Sequence, residues 1–225
     1  MYNIASILAE VAMKKPSKTY TAMLILSLMA LVLSAAIAVP LLWRGFYYLH
    51  INGLDLPGRT GFTVAEIRGA FDEMMDFCVF KQPFGTGVMK WSQDGYLHFV
   101  DCEVLFRMDF TVFAVSLAAV LLLWHMRDTY KAVTICGKGP MFWAGSVLAG
   151  AFVVIAGFAA LDFDRAFVIF HSLFFPGKTN WIFDYRTDQI INVLPQVVFR
   201  NYGILIVGLL FAGCIGLILA DKKRK

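Results

Sequence analysis

Four stretches that contain no lysine, arginine, aspartate or glutamate constrain this chain more than any other feature: 20–42, 110–126, 141–161 and 202–220. A helix needs about 20 predominantly apolar residues to cross the hydrocarbon core of a bilayer, within a range of about 17–25. Inside that core each backbone N–H and C=O must be satisfied within its own segment, which selects helices. His125 is the only ionisable side chain in the four stretches other than cysteine and tyrosine, and it lies near a helix end. Composition agrees, at 59% hydrophobic and 16% charged residues, with a mean hydropathy of +0.68. The sequence therefore predicts an all-α integral membrane protein with four transmembrane helices, forming a single membrane domain over 1–225. No internal repeat, low-complexity tract or linker divides it.

The charges between the spans orient the chain. Segments 1–18, 127–140 and 221–225 carry net charges of +2, +2 and +3, whereas 43–109 carries −3 and 162–201 is neutral. Lysine and arginine accumulate on the cytoplasmic side of membrane proteins. Both termini are thus expected in the cytoplasm, with the two long loops, 43–109 and 162–201, forming an extracytoplasmic cap. The net charge of +4 reports topology, and no nucleic-acid partner is expected. Ala36-Ile37-Ala38 resembles a signal-peptidase site, but the apolar run continues through Val39-Pro40-Leu41-Leu42, so the first span is expected to be retained.

The outer loops carry local structure signals. Thr63-Val64-Ala65-Glu66 is a capping box, in which Thr and Glu satisfy otherwise orphaned helix donors. Val64, Ile67, Phe71, Met74, Met75 and Cys78 follow at helical spacing and predict an amphipathic helix. Leu56-Pro57-Gly58 and Gln82-Pro83-Phe84-Gly85 read as turns. Residues 95–109 are expected to form a helix leading into the second span, and 188–200 a helix kinked or broken near Pro195.

The chemistry available outside is small: His50, His98, His171, several carboxylates and two cysteines. Histidine is the side chain whose proton moves near neutral pH. On a helix, His98 and Asp101 share a face at i, i+3, where a carboxylate can orient an imidazole and raise its basicity. The bland alternative is a surface His–Asp pair without a role, as His125 and Asp128 present on the cytoplasmic side. His171 sits among Phe167, Val168, Ile169, Phe170, Leu173, Phe174 and Phe175, either as a hydrogen-bonded interfacial residue or as a catalytic one. Other chemistries fit less well. There is no Gly-x-Ser-x-Gly and no His-Glu-x-x-His, and the outer histidines lack tight metal-ligand spacing. Gly177-Lys178-Thr179 resembles the end of a phosphate loop, but Ser172 stands where its first glycine belongs. His50-Ile51-Asn52-Gly53-Leu54-Asp55 echoes the His-x4-Asp of thioester-dependent glycerolipid acyltransferases, whose donors are cytoplasmic while this segment is predicted outside. Cys78 and Cys102 both face the oxidising side, where a disulfide and two free thiols are both open to them.

Two segments carry a more specific likeness. The first runs from Trp91-Ser92 through Leu97-His98-Phe99-Val100-Asp101 to Val104-Leu105-Phe106. The second comprises Phe170-His171-Ser172-Leu173-Phe174-Phe175, Trp181, Asp184, and Asp188-Gln189-Ile190-Ile191-Asn192-Val193-Leu194-Pro195 onward to Phe199. With four spans and two outer loops, the chain resembles the lipoprotein intramolecular transacylase (Lit) family. It departs at Gly95, where a more polar or acidic residue is expected, and at Cys102-Glu103.

The resemblance implies an O-to-N acyl transfer within a diacylated bacterial lipoprotein, from the glyceryl group to the N-terminal cysteine α-amine, giving the lyso form. It implies His98 and His171 as the catalytic pair, with Asp101, Trp181, Asp188 and Asn192 supporting the site or the substrate. Trp181 and Asn192 are candidate donors to a developing oxyanion. No cofactor and no metal are expected, because donor and acceptor lie on one substrate. The partners implied are lipoproteins and membrane lipid, at the bacterial cytoplasmic membrane with the site on its outer face. The rival readings are a non-catalytic lipid-binding or assembly protein and a metal-dependent membrane lipid hydrolase.

Overall fold

The computed structural model describes residues 14–223. The parts of the charge argument that rest on Glu10, Arg224 and Lys225 lie outside them. Along the described residues the elements are β1 (Lys15–Ser17), α1 (Lys18–Leu42), α2 (Arg44–Gly53), α3 (Leu56–Thr60), α4 (Val64–Phe80), α5 (Gln93–His125), a 3₁₀ turn (Met126–Asp128), β2 (Tyr130–Ala132), α6 (Pro140–Leu161), α7 (Phe163–Phe174), α8 (Ile190–Val193) and α9 (Gln196–Lys222). Four of them, α1, α5, α6 and α9, are long and apolar enough to cross a membrane, and they contain the four charge-free stretches except for Met126, which opens the 3₁₀ turn.

Helix α1 is the centre of the bundle. It packs against α5, α6 and α9, while α6 and α9 also pack closely on each other. Small residues permit that approach: a Cβ built on Gly145 of α6 would lie 2.6 Å from the Cys214 carbonyl oxygen of α9. In lipid, helices associate largely through such close van der Waals packing. The apolar side chains left outside, such as Phe158 and Leu161, are 71% and 84% exposed, as suits a lipid-facing surface.

Helix α5 has 33 residues, about 50 Å at 1.5 Å per residue, against a hydrocarbon core of about 30 Å. Its first turns, up to Asp109, therefore stand outside the span. The helix expected over 95–109 and the second span are one uninterrupted element. Ser92 caps it, its hydroxyl accepting a bond from the Gly95 N–H at 3.0 Å.

The cap folds around its own core of Tyr47, Ile51, Leu56, Ile67, Phe71 and Val193. Helix α4 opens with the expected capping box: Thr63 Oγ1 accepts from Glu66 N–H, and Glu66 Oε2 accepts from Thr63 N–H at 2.7 Å. Segment 188–200 is broken at Leu194, as expected near Pro195, which caps α9. Two local readings change. Leu56-Pro57-Gly58 begins the short helix α3 instead of a turn, with proline in the first turn, where its missing N–H has no helical partner to lose. Helices α2 and α7 were not anticipated. At the end of the bundle away from the cap, β1 and β2 pair in parallel, Lys15 beside Tyr130 and Ser17 beside Ala132. This is a small departure from an otherwise helical fold.

Candidate active site

His98 lies in the second turn of α5, and a polar anchor fixes where that turn begins. Asp188, 3% exposed, accepts bonds from Ser92 N–H at 2.8 Å, from the Ser92 hydroxyl at 2.8 and 2.9 Å, and from the Thr187 hydroxyl at 3.0 Å. Next to it, Gln189 N–H donates to the Lys90 carbonyl at 2.9 Å while its side-chain oxygen accepts from Lys90 N–H at 2.8 Å. A Cβ built on Gly95 would overlap Asp188 Oδ1. The departure at position 95 thus has a physical reason: the acid comes from Asp188, and no side chain fits beside it.

The two outer histidines meet. Their ring centroids are 5.9 Å apart with planes tilted by 31°, and they are 5% and 8% exposed. Phe175 and Phe183 stand edge-on to His98 at 5.0 and 5.4 Å. Phe167 and Trp181 enclose His171 at 4.2 and 4.6 Å. His171 Nδ1 lies 2.7 Å from the Phe167 carbonyl oxygen. A carbonyl only accepts, so Nδ1 carries the proton and Nε2 the lone pair. His98 Nε2 lies 3.5 Å from Cys102 Sγ, and His98 Nδ1 is buried with no hydrogen-bond partner among the described residues.

Burial sets the protonation of the pair. It pushes His98 down to about 4, with the neighbouring His171 adding to the fall and Asp101 opposing it. His171 is lowered too, by burial, against its bond to the Phe167 carbonyl. Both rings are therefore neutral near pH 7, the state in which an imidazole can accept a proton.

Asp101 is not the orienting partner that its spacing predicts. It accepts bonds from Lys178 Nζ at 2.5 Å and Asn180 Nδ2 at 3.1 Å. Partial burial raises its carboxyl, and these two bonds outweigh that and hold it below the usual range. Its work is to clasp the segment after α7 onto α5. Trp181 donates its indole N–H to the Lys178 carbonyl at 3.0 Å, and Asn192 donates its amide to the Tyr185 carbonyl at 3.0 Å. The single indole donor of Trp181 is thus already engaged, as is one of the two N–H groups of Asn192, and Trp181 meets His171 with its ring instead.

The remaining candidates resolve as structural. Cys78 and Cys102 are free thiols, so the disulfide that the sequence left open is not formed; Cys78 points at the Phe99 carbonyl. Burial pushes the Cys102 thiol up to about 12, which disfavours a thiolate nucleophile. His50 is satisfied at both nitrogens, by the Phe46 carbonyl at 2.8 Å and the Asn201 amide at 2.9 Å. Lys178, of the phosphate-loop echo, is committed to Asp101. Among the described residues no group of three or more His, Cys, Asp or Glu is placed to hold a metal ion.

The sequence model of the lipoprotein intramolecular transacylase Lit family matches residues 21–199, a span that includes every residue of this site. The chain belongs to that family. Solved structures of the membrane integral transacylase Lit from Bacillus cereus have the same fold. One aligns with a TM-score of 0.79 at 20% identity, over 92% of this chain and 98% of that one. Another, carrying a histidine-to-alanine mutation, aligns at 0.75 and 17% identity, over 99% and 98%. No curated protein sequence matches the chain significantly. Membership of the Lit family and the four apolar helices make this a multi-pass membrane transacylase.

Several site residues escaped sequence reasoning: Lys178 and Asn180 as partners of Asp101, Ser92 as partner of Asp188, and Phe175 and Phe183 around His98. Ser92 and Phe175 lie in the two segments that carry the family likeness, and Ser92 also stands directly before a helix, but neither segment shows what they touch.

Proposed function

We propose that His98 and His171 carry the family's reaction in this chain, moving one acyl chain of a diacylglyceryl lipoprotein from a glyceryl oxygen to the α-amine of the N-terminal cysteine. An α-amine titrates near 7.7–8.0, so about neutral pH most of it is protonated and not nucleophilic. The fraction of the amine that has given its extra proton to water is the nucleophile. Its nitrogen attacks the ester carbonyl carbon while His171 Nε2, with its lone pair free, takes the proton that the nitrogen sheds. The bond from that carbon to the glyceryl oxygen breaks, and the pair returns the proton to the departing oxygen by way of His98, so both rings end neutral as they began. Counted from the neutral amine, nitrogen loses one hydrogen and oxygen gains one, and nothing else is consumed. Because nucleophile and ester share one molecule, binding alone supplies proximity.

The single observation that carries this reading is the approach of two neutral, buried histidines to 5.9 Å within an aromatic wall. Charge distribution supports an orientation with both termini in the cytoplasm and the site at the outer face, where diacylated lipoproteins present their amine. The product is then the lyso form.

The test is mass spectrometry of a reporter lipoprotein's N-terminal peptide, co-expressed with this protein in a bacterium that stops at the diacyl form. The expected product has one acyl group on the α-amine and one on the glyceryl. His98→Gln and His171→Gln should each lower its formation by about 10²–10⁴-fold, with the protein still in the membrane. Near-normal product from either variant would refute that histidine's role, and release of free fatty acid instead would mark a hydrolase.

A further inference from the structure

The bundle is asymmetric, and the asymmetry leaves a gap. Helix α5 leans on α1 and meets α6 and α9 only sparsely, whereas α1, α6 and α9 pack on one another. At the cap end this gap is bridged by the meeting of His98 on α5 with His171 on α7. At the opposite end, beside the two-stranded sheet, it widens into a cavity of about 1280 Å³. We propose that this cavity binds the headgroup of an anionic phospholipid, whose acyl chains lie in the gap between α5 and α6.

Three features of the cavity point to that occupant. First, its charge is one-sided. Lys14, Lys15, Arg127 and Lys131 line it against a single acid, Asp221. Asp221 is already committed, accepting from the Gly139 N–H at 3.0 Å. Lys14 reaches Asp128 at 3.3 Å, while Lys15 and Lys131 have no carboxylate partner among the described residues. Second, Arg127 stands over the Trp124 ring, its guanidinium carbon 4.3 Å from the centroid. Such a cation–π contact fixes the head, and a guanidinium carries five N–H donors suited to a phosphate. Third, Leu24, Trp124 and Met141 line the same cavity where three spans end, the depth at which headgroup meets acyl chain and tryptophan is enriched. A soluble phosphate would meet the cations alone; a phospholipid matches both the cations and the apolar wall. Basic pockets between helices at a membrane face are the recognised setting for anionic headgroups.

The experiment uses the full chain, purified in detergent and stripped of lipid, with native mass spectrometry and thermal unfolding as readouts. Phosphatidylglycerol, phosphatidylcholine and inorganic phosphate are the three probes. Phosphatidylglycerol should form adducts at concentrations about 10-fold or more below phosphatidylcholine and raise the unfolding temperature, while phosphate alone should not. The double variant Lys15→Gln/Lys131→Gln should bind phosphatidylglycerol about 30-fold more weakly, with the same unfolding temperature as the parent when lipid-free. Lys15→Arg/Lys131→Arg should keep the preference, as should Arg59→Gln/Lys81→Gln, which removes two cations from the cap. Equal adducts with both lipids, an undiminished preference in Lys15→Gln/Lys131→Gln, or a shift reproduced by phosphate alone would overturn the proposal.

Discussion

The two histidines reach the same place by different means. His98 rides on a helix 33 residues long whose first turn is tied to Asp188, and its turn packs into the core of the cap. His171 sits on α7, a helix of 12 residues whose large apolar side chains Ile169, Phe170 and Leu173 are about half exposed or more. What fixes His171 is local: its own Phe167 carbonyl, one turn back, and the rings of Phe167 and Trp181. One side of the site is therefore built into the fold, and the other is adjusted at the ring itself. Damage on the His98 side should cost stability and activity together, whereas damage on the His171 side should cost activity first.

The largest effect on stability is expected from Asp188→Ala. It leaves the half-buried Ser92 N–H and hydroxyl without their acceptor, a loss of about 3 kcal/mol at about 1–3 kcal/mol per stranded group, while the exposed Thr187 hydroxyl keeps the Asp184 carbonyl. Unfolding in detergent should show it directly, alongside at least a 10-fold fall in transacylated product. Gly95→Ala strikes the same anchor from the other side by placing a methyl against the Asp188 carboxylate, at about 1–3 kcal/mol. Wild-type stability in either variant would break the comparison at its root.

How far these two sides were legible in the sequence follows from the range of the interactions involved. The spans, α4 and the continuity of 95–109 with the second span rest on charge-free runs, a capping box and helical spacing, all within a few residues. The anchor does not: Ser92 and Asp188 are 96 positions apart, and Asp101 and Lys178 are 77 apart, so no periodic pattern marks them. The i, i+3 spacing of His98 and Asp101 was read correctly as a shared face, but Lys178 outbids an imidazole for the carboxylate. Helix α7 was missed although it left a signal, an aspartate cap at Asp162 and a strongly one-sided pattern. Its apolar side chains face outward and its buried residue is a histidine, so the face that such a pattern assigns to the core of a water-soluble protein is the one turned away from it.

A second, smaller effect separates the rings by pH. His98 falls to about 4 in the folded protein from an ordinary 6.5, so the fold favours its neutral form. Between those two values the unfolded chain binds more protons. The stabilisation is complete above pH 6.5 and is lost as pH drops toward 4, on the order of 3 kcal/mol. Unfolding temperature measured from pH 7 to 4 should therefore fall more steeply in the parent than in His98→Gln. Parallel curves would mean that His98 protonates without penalty. On the other side of the site, Trp181→Ala should lower product several-fold while costing about 1 kcal/mol, the worth of an aromatic pair. A larger loss of stability would show that α7 is held as firmly as α5.

The smallest effect expected concerns Cys102, one turn beyond His98. A thiol is a poor acceptor, so the contact at 3.5 Å is best satisfied with S–H donating to His98 Nε2, which places the ring proton on Nδ1. That is the nitrogen left without a partner, and the one from which a proton can pass to the departing oxygen. Cys102→Ala should change product only a few-fold and stability by about 1 kcal/mol, yet the ¹⁵N shifts of His98 should move toward a mixture of tautomers. Cys102→Ser, with a stronger donor in the same place, should restore the single tautomer. If the His98 shifts are the same in all three proteins, the thiol does not set the tautomer. His98 would then be tuned, like its partner, by the rings around it.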